Sequence, residues 1–162
     1  MTMQYDVKSY HNTVSGVAVP YRTRLKGIVI SPSTSTTHNV VAANNVSQSG
    51  TYDIPGTTTC TVTMAGHGVV LGSRVWLTFT SGSAINDSYD VTAVTQNTFT
   101  VTTGTLTTSG NVTVYTQILT ELDCSTGTSF YTLIPGEGIV ALDGIYVGLP
   151  TANTVTSTIF YG

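Results

Sequence analysis

Three histidines and two cysteines are the residues of this sequence best suited to binding a metal. The histidines are His11, His38 and His67, separated by 27 and 29 residues, and the cysteines are Cys60 and Cys124. Zinc sites usually take pairs of ligands about two to five residues apart, because both ligands reach one ion from one local turn. The spacing here matches no such motif. We therefore predict no metal site and no cofactor, and we expect His67, which precedes a glycine, to close a turn by hydrogen bonding.

Two short motifs contain parts of ligand-binding loops but lack what the chemistry requires. Residues 86–90 carry several oxygen ligands, yet calcium takes about six to eight oxygens and the D-x-[DN]-x-[DN]-G loop is missing. Gly136 and Gly138 flank Glu137, whereas a phosphate-binding loop ends in Gly-Lys-Ser/Thr. Gly-x-Ser-x-Gly, the motif of a serine nucleophile, is also missing. We therefore predict turns at both places and a protein that is not an enzyme; a hydrolase of the host envelope is the least favoured alternative.

The basic residues are concentrated near the N-terminus. Four of the five lysines and arginines lie at or before residue 26, while seven of the eight acidic residues follow it. This asymmetry suits docking between oppositely charged surfaces, and it also suits a basic strand that faces an acidic neighbour within the same fold. On the docking hypothesis, changing Arg22, Arg24 and Lys26 to glutamate abolishes binding to the particle without unfolding the protein. The predicted docking residues are Arg22, Arg24, Lys26, Tyr5 and Tyr21.

Tyrosine is the most frequent aromatic residue, with nine tyrosines against four phenylalanines and one tryptophan. Its ring is apolar and its hydroxyl is polar, so it serves protein interfaces and the stacking of sugars equally well. We expect most of the tyrosines to pack in a core or against other subunits, and we expect Trp76 to be a core residue. If the protein recognises a host glycan, Tyr89 and Tyr115 are the predicted platforms.

The composition limits the class of protein. The chain has 162 residues, a net charge of −3 and only 8% charged residues, against about 25% in an ordinary soluble domain. Nucleic acid is not an expected partner, because its binding needs a basic surface. A membrane is not expected either, because no apolar run reaches the roughly 18–20 residues of a spanning helix, and no secretory signal is recognisable. A chain with so few charged residues is expected to bury much of its surface against other copies of itself. We therefore expect a homo-oligomer, with a trimer as the favoured state.

The hydrophobic pattern is typical of strands. Threonine accounts for 33 residues, and its branched Cβ favours strands over helices. One predicted strand begins at Arg22, and its alternation places Arg24, Lys26, Ile28 and Ile30 on the same face as Arg22. At most a short helical turn is expected, near residues 81–86. Further strands are predicted at 75–80, 90–95, 98–102, 111–116, 138–141, 144–148 and 155–161, with a hairpin turn at 96–97. The sequence therefore predicts an all-β fold.

The middle of the chain is predicted to be an insertion. Residues 51–116 are dense in threonine and contain about six short strands, which is the size of a small β-barrel. Polar joints at 47–50 and 116–117 flank this segment. We predict that residues 1–48 and 117–162 form one discontinuous, jelly-roll-like β-sandwich that anchors the protein. The inserted small β-barrel is expected to project from it.

The insertion carries motifs that resemble a known module. The motifs are His67-Gly68, Leu71-Gly72-Ser73-Arg74-Val75, Tyr89-Asp90-Val91 and Thr98-Phe99-Thr100-Val101. This series of motifs resembles a small β-barrel that recurs in bacteriophage virion and tail proteins, and it is similar to the first catalytic cysteine half-domain of ubiquitin-activating enzymes. The resemblance covers about two-fifths of the chain and implies a fold rather than an activity.

The outer segments carry motifs of their own, at Gln4–Lys8, Arg22–Ile28, Leu133–Ile139, Gly144–Val147 and Ile159–Gly162. Together these motifs resemble short structural proteins of marine podoviruses and myoviruses. The resemblance implies a virion component assembled in the host cytoplasm, specifically a head decoration or knob-like protein. Its implied partners are the major capsid protein or other virion proteins. The alternative is a tail, neck or fibre-associated component, or an adhesin that recognises a host surface glycan.

Overall fold

The computed structural model describes residues 6–33, 38–124, 128–150 and 155–162, and they form strands and turns only. The predicted all-β fold is confirmed, but the predicted helical turn near 81–86 is wrong, because this segment is a loop in which the N–H of Phe79 donates to Oδ1 of Asn86 at 2.7 Å. None of the described residues belongs to a helix that could span a membrane. The strands are β1 (Lys8–Asn12), β2 (Gly16–Val19), β3 (Thr23–Pro32), β4 (His38–Asn44), β5 (Ser47–Thr63), β6 (Arg74–Phe79), β7 (Asp87–Val94), β8 (Thr98–Tyr115), β9 (Ile118–Cys124), β10 (Phe130–Leu133), β11 (Ile139–Ala141), β12 (Ile145–Gly148) and β13 (Val155–Tyr161).

The chain divides into two compact units. Met1–Asn45 and Leu119–Gly162 form the outer unit, and Val46–Ile118 form the inserted unit. Each unit has its own cluster of buried apolar side chains, which is the property that defines a domain.

The outer unit is a β-sandwich of two sheets. One sheet has the order β1-β13-β3-β10, with the short β11 also paired to β3, and the other has the order β2-β12-β4-β9. Without β11, eight strands remain. Counted in chain order, the first, eighth, third and sixth form one sheet, and the second, seventh, fourth and fifth form the other. This is the strand order of a jelly roll, an architecture of two Greek keys. The predicted jelly-roll-like sandwich is therefore confirmed.

Side chains from both sheets fill the core of the outer unit. Ile28 of β3 and Ile159 of β13 belong to one cluster with Val40 of β4 and Ile145 of β12, and all four are fully buried. Removing a side chain of this size from water stabilises a fold by about 1.5–3 kcal/mol. The sandwich is thus held by the alternate residues that its two sheets turn towards each other.

A β-bulge at Lys26 changes which residues of β3 face the core. Phe160 of β13 pairs with Gly27, whereas the next residue, Tyr161, pairs with Leu25, so Lys26 is an extra residue on β3. Leu25 consequently joins the buried isoleucines of the same strand in the core. The prediction that the three basic residues share a face with those isoleucines is wrong, because an extra residue reverses the alternation.

The inserted unit is built on a long two-stranded ribbon. β5 and β8 pair over nearly their full lengths, with register shifts between Pro55 and Thr59. β6 and β7 form a hairpin that pairs with both parts of β8: β6 with residues 112–115 and β7 with residues 99–101. The hairpin turn predicted at 96–97 joins β7 to β8, where the N–H of residue 95 donates to the carbonyl of residue 98 at 2.8 Å.

The small barrel predicted for residues 51–116 is not closed. The sheet has the order β5-β8-β6-β7 with an additional β7–β8 pairing, and none of the three sheets formed by the described residues closes into a barrel. The two ends of β5 do approach each other, since a Cβ added at Gly50 would lie 2.6 Å from the carbonyl oxygen of Thr63. Only glycine fits at this close contact. The sheet therefore folds back on itself, but no hydrogen-bonded ladder joins the two ends of β5.

The predicted buried face of β6 is confirmed. Val75 and Leu77 are fully buried in the core cluster of the inserted unit, and Phe79 packs against that cluster. Trp76 is also fully buried, but it lies on the opposite face of the strand and outside this cluster. Its indole N–H donates to Oγ1 of Thr78 at 3.0 Å, so the polar group of the ring is satisfied.

Candidate functional site

The described residues contain no metal-binding group. Among them, no three side chains of His, Cys, Asp and Glu lie close enough together to hold an ion. Nδ1 of His11 lies 2.9 Å from Oγ1 of Thr158 on the neighbouring strand. The side chains of His38 and Cys124 lie outside the described part of the chain.

His67 closes a turn, as the sequence predicts. Its Nδ1 accepts the backbone N–H of Val69 at 3.0 Å, and its Nε2 lies 3.1 Å from the carbonyl oxygen of Thr95. A carbonyl oxygen can only accept, so the ring carries its proton on Nε2. The ring is buried and meets Phe99 edge to face, with 5.5 Å between ring centres. His67 therefore holds the loop after β5 to the end of β7.

Four of the five predicted docking residues lie around the start of β3 and differ in accessibility: Tyr21, Arg22, Arg24 and Lys26. Arg22 is exposed. Arg24 is half-buried, and its Nη1 lies 3.5 Å from the carbonyl oxygen of Glu137. Lys26 is only 8% exposed, which makes it the least accessible of the three cations. Tyr5 lies outside the described residues.

The cations of the outer unit have no anionic partner within the described residues. Lys8, Arg22, Arg24 and Lys26 form no ion pair there. The alternative interpretation, in which the basic strand faces an acidic neighbour of the same fold, therefore has no such contact in the described part of the chain. We call Lys8, Arg22 and Arg24, the more accessible of these cations, the basic edge.

Two shallow grooves meet at Arg22, and each has a volume of about 220 Å³. One groove also contains Asp6, Lys8 and Tyr21, and the other contains Arg24. The ring of Tyr21 is 51% exposed. The basic edge thus presents cations beside an accessible aromatic ring, a combination that is frequent in protein interfaces.

The two predicted recognition tyrosines have different environments. Tyr115 is 8% exposed, which leaves little of its ring accessible to a ligand. Tyr89 is half-buried, its hydroxyl donates to the carbonyl of Ile85 at 2.7 Å, and its ring meets Phe79 edge to face. Burial and then the charge of Asp87 raise the pKa of Tyr89 above its ordinary value of 10.0. Tyr89 therefore keeps its proton and holds a fixed orientation.

A polar groove of about 440 Å³ lies over the β6–β7 hairpin. Arg74 and Asp90 occupy opposite positions in this hairpin, and Nη1 of Arg74 donates to Oδ1 of Asp90 at 3.0 Å. Nη2 of Arg74 donates to Oγ of Ser88 at 3.1 Å. The sequence alone does not reveal this site, because the two charged residues are distant in sequence and only the register of β6 on β7 brings them together. The groove is lined by Arg74, Ser88, Tyr89, Asp90, Thr92 and Thr102.

Next to the groove, three directly opposed threonine pairs form a hydroxyl-rich surface on β5 and β8. The buried residues Cys60, Val62, Phe99 and Val101 alternate with these threonines, which therefore share the other face of the sheet. Cross-strand threonine pairs stabilise a sheet by a few tenths of a kcal/mol or more. We call this surface the threonine face; its pairs are Thr59–Thr102, Thr61–Thr100 and Thr63–Thr98.

Cys60 is a free thiol in the core of the inserted unit. Burial and then the charge of Asp53 raise the pKa of the Cys60 thiol from its ordinary value of 9.0 to about 12. The thiolate is the reactive form of cysteine, so the native environment makes Cys60 unreactive. It is a packing residue and not a nucleophile.

We expect Cys60 to resist alkylation in the native protein. In a Cys124→Ser variant, where Cys60 is the single thiol, iodoacetamide at pH 8 should leave the native chain unmodified while the unfolded chain is fully modified, as read by intact mass. Between pH 9.0 and about 12 the unfolded chain binds fewer protons at this site than the native chain, so stability should fall as the pH rises. Native labelling as fast as that of the unfolded chain would contradict the buried thiol.

No protein-family model matches the chain, and no curated protein is significantly similar to it. Among solved structures, the chain is similar to "Phage phi92 endosialidase", with a TM-score of 0.36 and 16% sequence identity. The alignment covers 79% of this chain and 20% of that one, so this chain spans about one fifth of the length of its neighbour. At this TM-score the likeness defines neither a common fold nor a function.

Proposed function

We propose that the chain is a non-enzymatic structural protein of a bacteriophage virion, a capsid decoration or cement protein. It binds an acidic surface of the major capsid protein, or of another virion protein, through the basic edge. The observation that carries the proposal is that the cations of this edge are accessible and have no ion-pair partner in the described chain, beside the exposed ring of Tyr21. The jelly roll is compatible with this role, since capsid proteins are among its many uses.

Contacts between copies complete this proposal. The edge strand β10 carries Phe130, Tyr131 and Leu133, which are 47%, 53% and 63% exposed. Tyr131 and Leu133 share one face of the strand, with Phe130 on the other, and exposed apolar residues that lie together mark surfaces that bind other proteins. We assign β10 to contacts within a homo-oligomer, with a trimer as the favoured state. Many identical weak contacts, repeated by the symmetry of the particle, then hold each copy in place.

Removal of two of the three cations of the basic edge is expected to weaken binding to the particle. Lys8→Gln with Arg22→Gln removes two exposed cations without introducing a buried charge. Two exposed charge contacts of up to about 1 kcal/mol each give up to about a 30-fold loss of affinity. Occupancy on purified particles that lack the native protein, measured by quantitative mass spectrometry and by cryo-electron microscopy, checks this expectation.

The matched control is Thr58→Glu with Thr105→Glu, which changes the net charge by the same amount at exposed positions of the inserted unit. This control should bind as the parent does. Lys26 is left unchanged because its burial would make a charge reversal destabilising. Full occupancy by the Lys8/Arg22 variant would refute the basic edge, and density confined to one vertex or to the tail would refute decoration of the head.

A further inference from the structure

We propose that the polar groove over the β6–β7 hairpin is a binding site for a neutral glycan. This inference does not depend on docking at the basic edge, because the groove belongs to the inserted unit. Its volume of about 440 Å³ lies within the range of about 300–1,000 Å³ that is usual for sites of small ligands. A mono- or disaccharide unit fits a space of this size.

The groove offers both kinds of hydrogen-bonding partner that a sugar hydroxyl needs. The Asp90 side chain is 67% exposed, so its carboxylate accepts from hydroxyls in the groove. The side chain of Arg74 is 38% exposed, so its guanidinium donates there. The ion pair of these two residues and the bond from Arg74 to Ser88 fix the guanidinium before a ligand arrives. A donor fixed beside an acceptor matches two neighbouring hydroxyls of a sugar ring, each of which donates and accepts.

The remaining lining adds hydroxyl groups. Thr102 supplies a hydroxyl at the edge of the groove, and Oγ1 of Thr92 is fixed 2.9 Å from Oγ1 of Thr100. Tyr89 also lines the groove, but its ring lies on the core face of β7, opposite the buried Val75, so it offers no stacking surface to a sugar. Because Thr102 also belongs to the threonine face, an oligosaccharide that leaves the groove meets a row of hydroxyls, and longer chains should bind more tightly.

The charge of the inserted unit selects against acidic sugars. Arg74 is the one cation among residues 46–118, which also contain Asp53, Asp87 and Asp90. Within the groove the ion pair leaves no net charge, so no unpaired cation is left to bind a carboxylate or phosphate. A sialylated or phosphorylated glycan would approach a negatively charged unit. We therefore expect neutral glycans to bind in preference to acidic ones.

The test is a glycan array that carries neutral hexose oligosaccharides of increasing length together with sialylated and phosphorylated glycans, probed with the full chain. Calorimetry then measures the strongest neutral oligosaccharide. Asp90→Asn and Thr102→Val should each lower the affinity, with about a tenfold loss for Asp90→Asn, because a neutral amide oxygen accepts a weaker hydrogen bond than a carboxylate does. Thr105→Val, on the same strand but outside the groove lining, should bind as the parent does.

Circular dichroism should show native spectra for all three variants, since an exposed ion pair adds little to stability. Absence of binding to every neutral glycan overturns the proposal, as does binding to acidic glycans alone. Neutral binding that survives both Asp90→Asn and Thr102→Val also overturns it, because the ligand would then lie elsewhere. Lys8→Gln with Arg22→Gln should leave glycan affinity unchanged, so failure of the docking proposal and failure of this one are separate results.

Discussion

Gly144→Ala is expected to lower the free energy of unfolding of the outer unit by about 4 kcal/mol, a large loss for the addition of one methyl group. Gly144 precedes β12 and has a φ of +98°, a conformation that side chains with a Cβ rarely adopt. A Cβ at this position would overlap the carbonyl oxygen of Val19 and lie 2.9 Å from the backbone nitrogen of Tyr21. Neither backbone atom can rotate away as a side chain can, so β2 or β12 would have to shift. Urea unfolding followed by circular dichroism measures the loss.

Alanine variants of two other glycines in the outer unit separate the cost of backbone strain from the cost of the close approach to Val19. Gly136 has a φ of +67° but open space around its Cβ position, so Gly136→Ala tests backbone strain alone and should cost about 1–3 kcal/mol. Gly16 lies in β2 with open space and no positive φ, so Gly16→Ala should be neutral or stabilise by about 0.5 kcal/mol. Equal losses for Gly144→Ala and Gly136→Ala would show that the close approach to Val19 does not exist.

Phe99→Ala is expected to cost about 3–5 kcal/mol in the inserted unit. Phe99 is among the largest fully buried side chains of the protein, and its ring meets His67 edge to face. Truncation to alanine removes that contact and leaves a cavity in the core beneath the threonine face. Trp76, the single tryptophan, lies in the same unit, so its fluorescence during urea unfolding reports the midpoint.

Phe99→Leu is the control for this prediction. It keeps most of the buried volume and should cost less than about 1.5 kcal/mol. A Phe99→Ala protein with the midpoint of the parent would mean that the ring is not enclosed. If the loss occurs but the Leu variant loses as much, the aromatic contact with His67 outweighs the filling of the core.

The local pattern of the sequence predicts the strands that have one buried face and a clear boundary. The segment 155–161 forms β13 over those same residues, and 75–80 forms β6 with a shift of one residue. The pattern fails where pairing with a distant strand decides the outcome. The predicted strands at 98–102 and 111–116 are one 18-residue strand, β8. Gly104, Gly110 and the threonines between the two segments look like a break, but the ladder with β5 carries the strand through them.

The candidate sites depend even more on register. Alternation places Arg24 and Lys26 on the face of the buried isoleucines, but the bulge at Lys26 reverses this assignment. Tyr115 is predicted, with Tyr89, as a possible platform for a host glycan, yet Tyr115 is only 8% exposed. Nothing local indicates the groove of Arg74 and Asp90, because 16 positions and a hairpin register separate these residues. Residue types are readable from the sequence, whereas their juxtaposition needs the folded sheet.

The inserted unit lies at a place in the chain where one domain can be exchanged for another. The unit begins after β4 and ends at β9, and these two strands are neighbours in one sheet of the jelly roll. Its own ends also meet, because Ser47 pairs with Tyr115 on the first rung of the β5–β8 ladder. Elsewhere, a tight turn suffices to join two neighbouring antiparallel strands. A compact domain with adjacent termini is therefore expected to replace residues 46–117 without a change in the chain path of the sandwich.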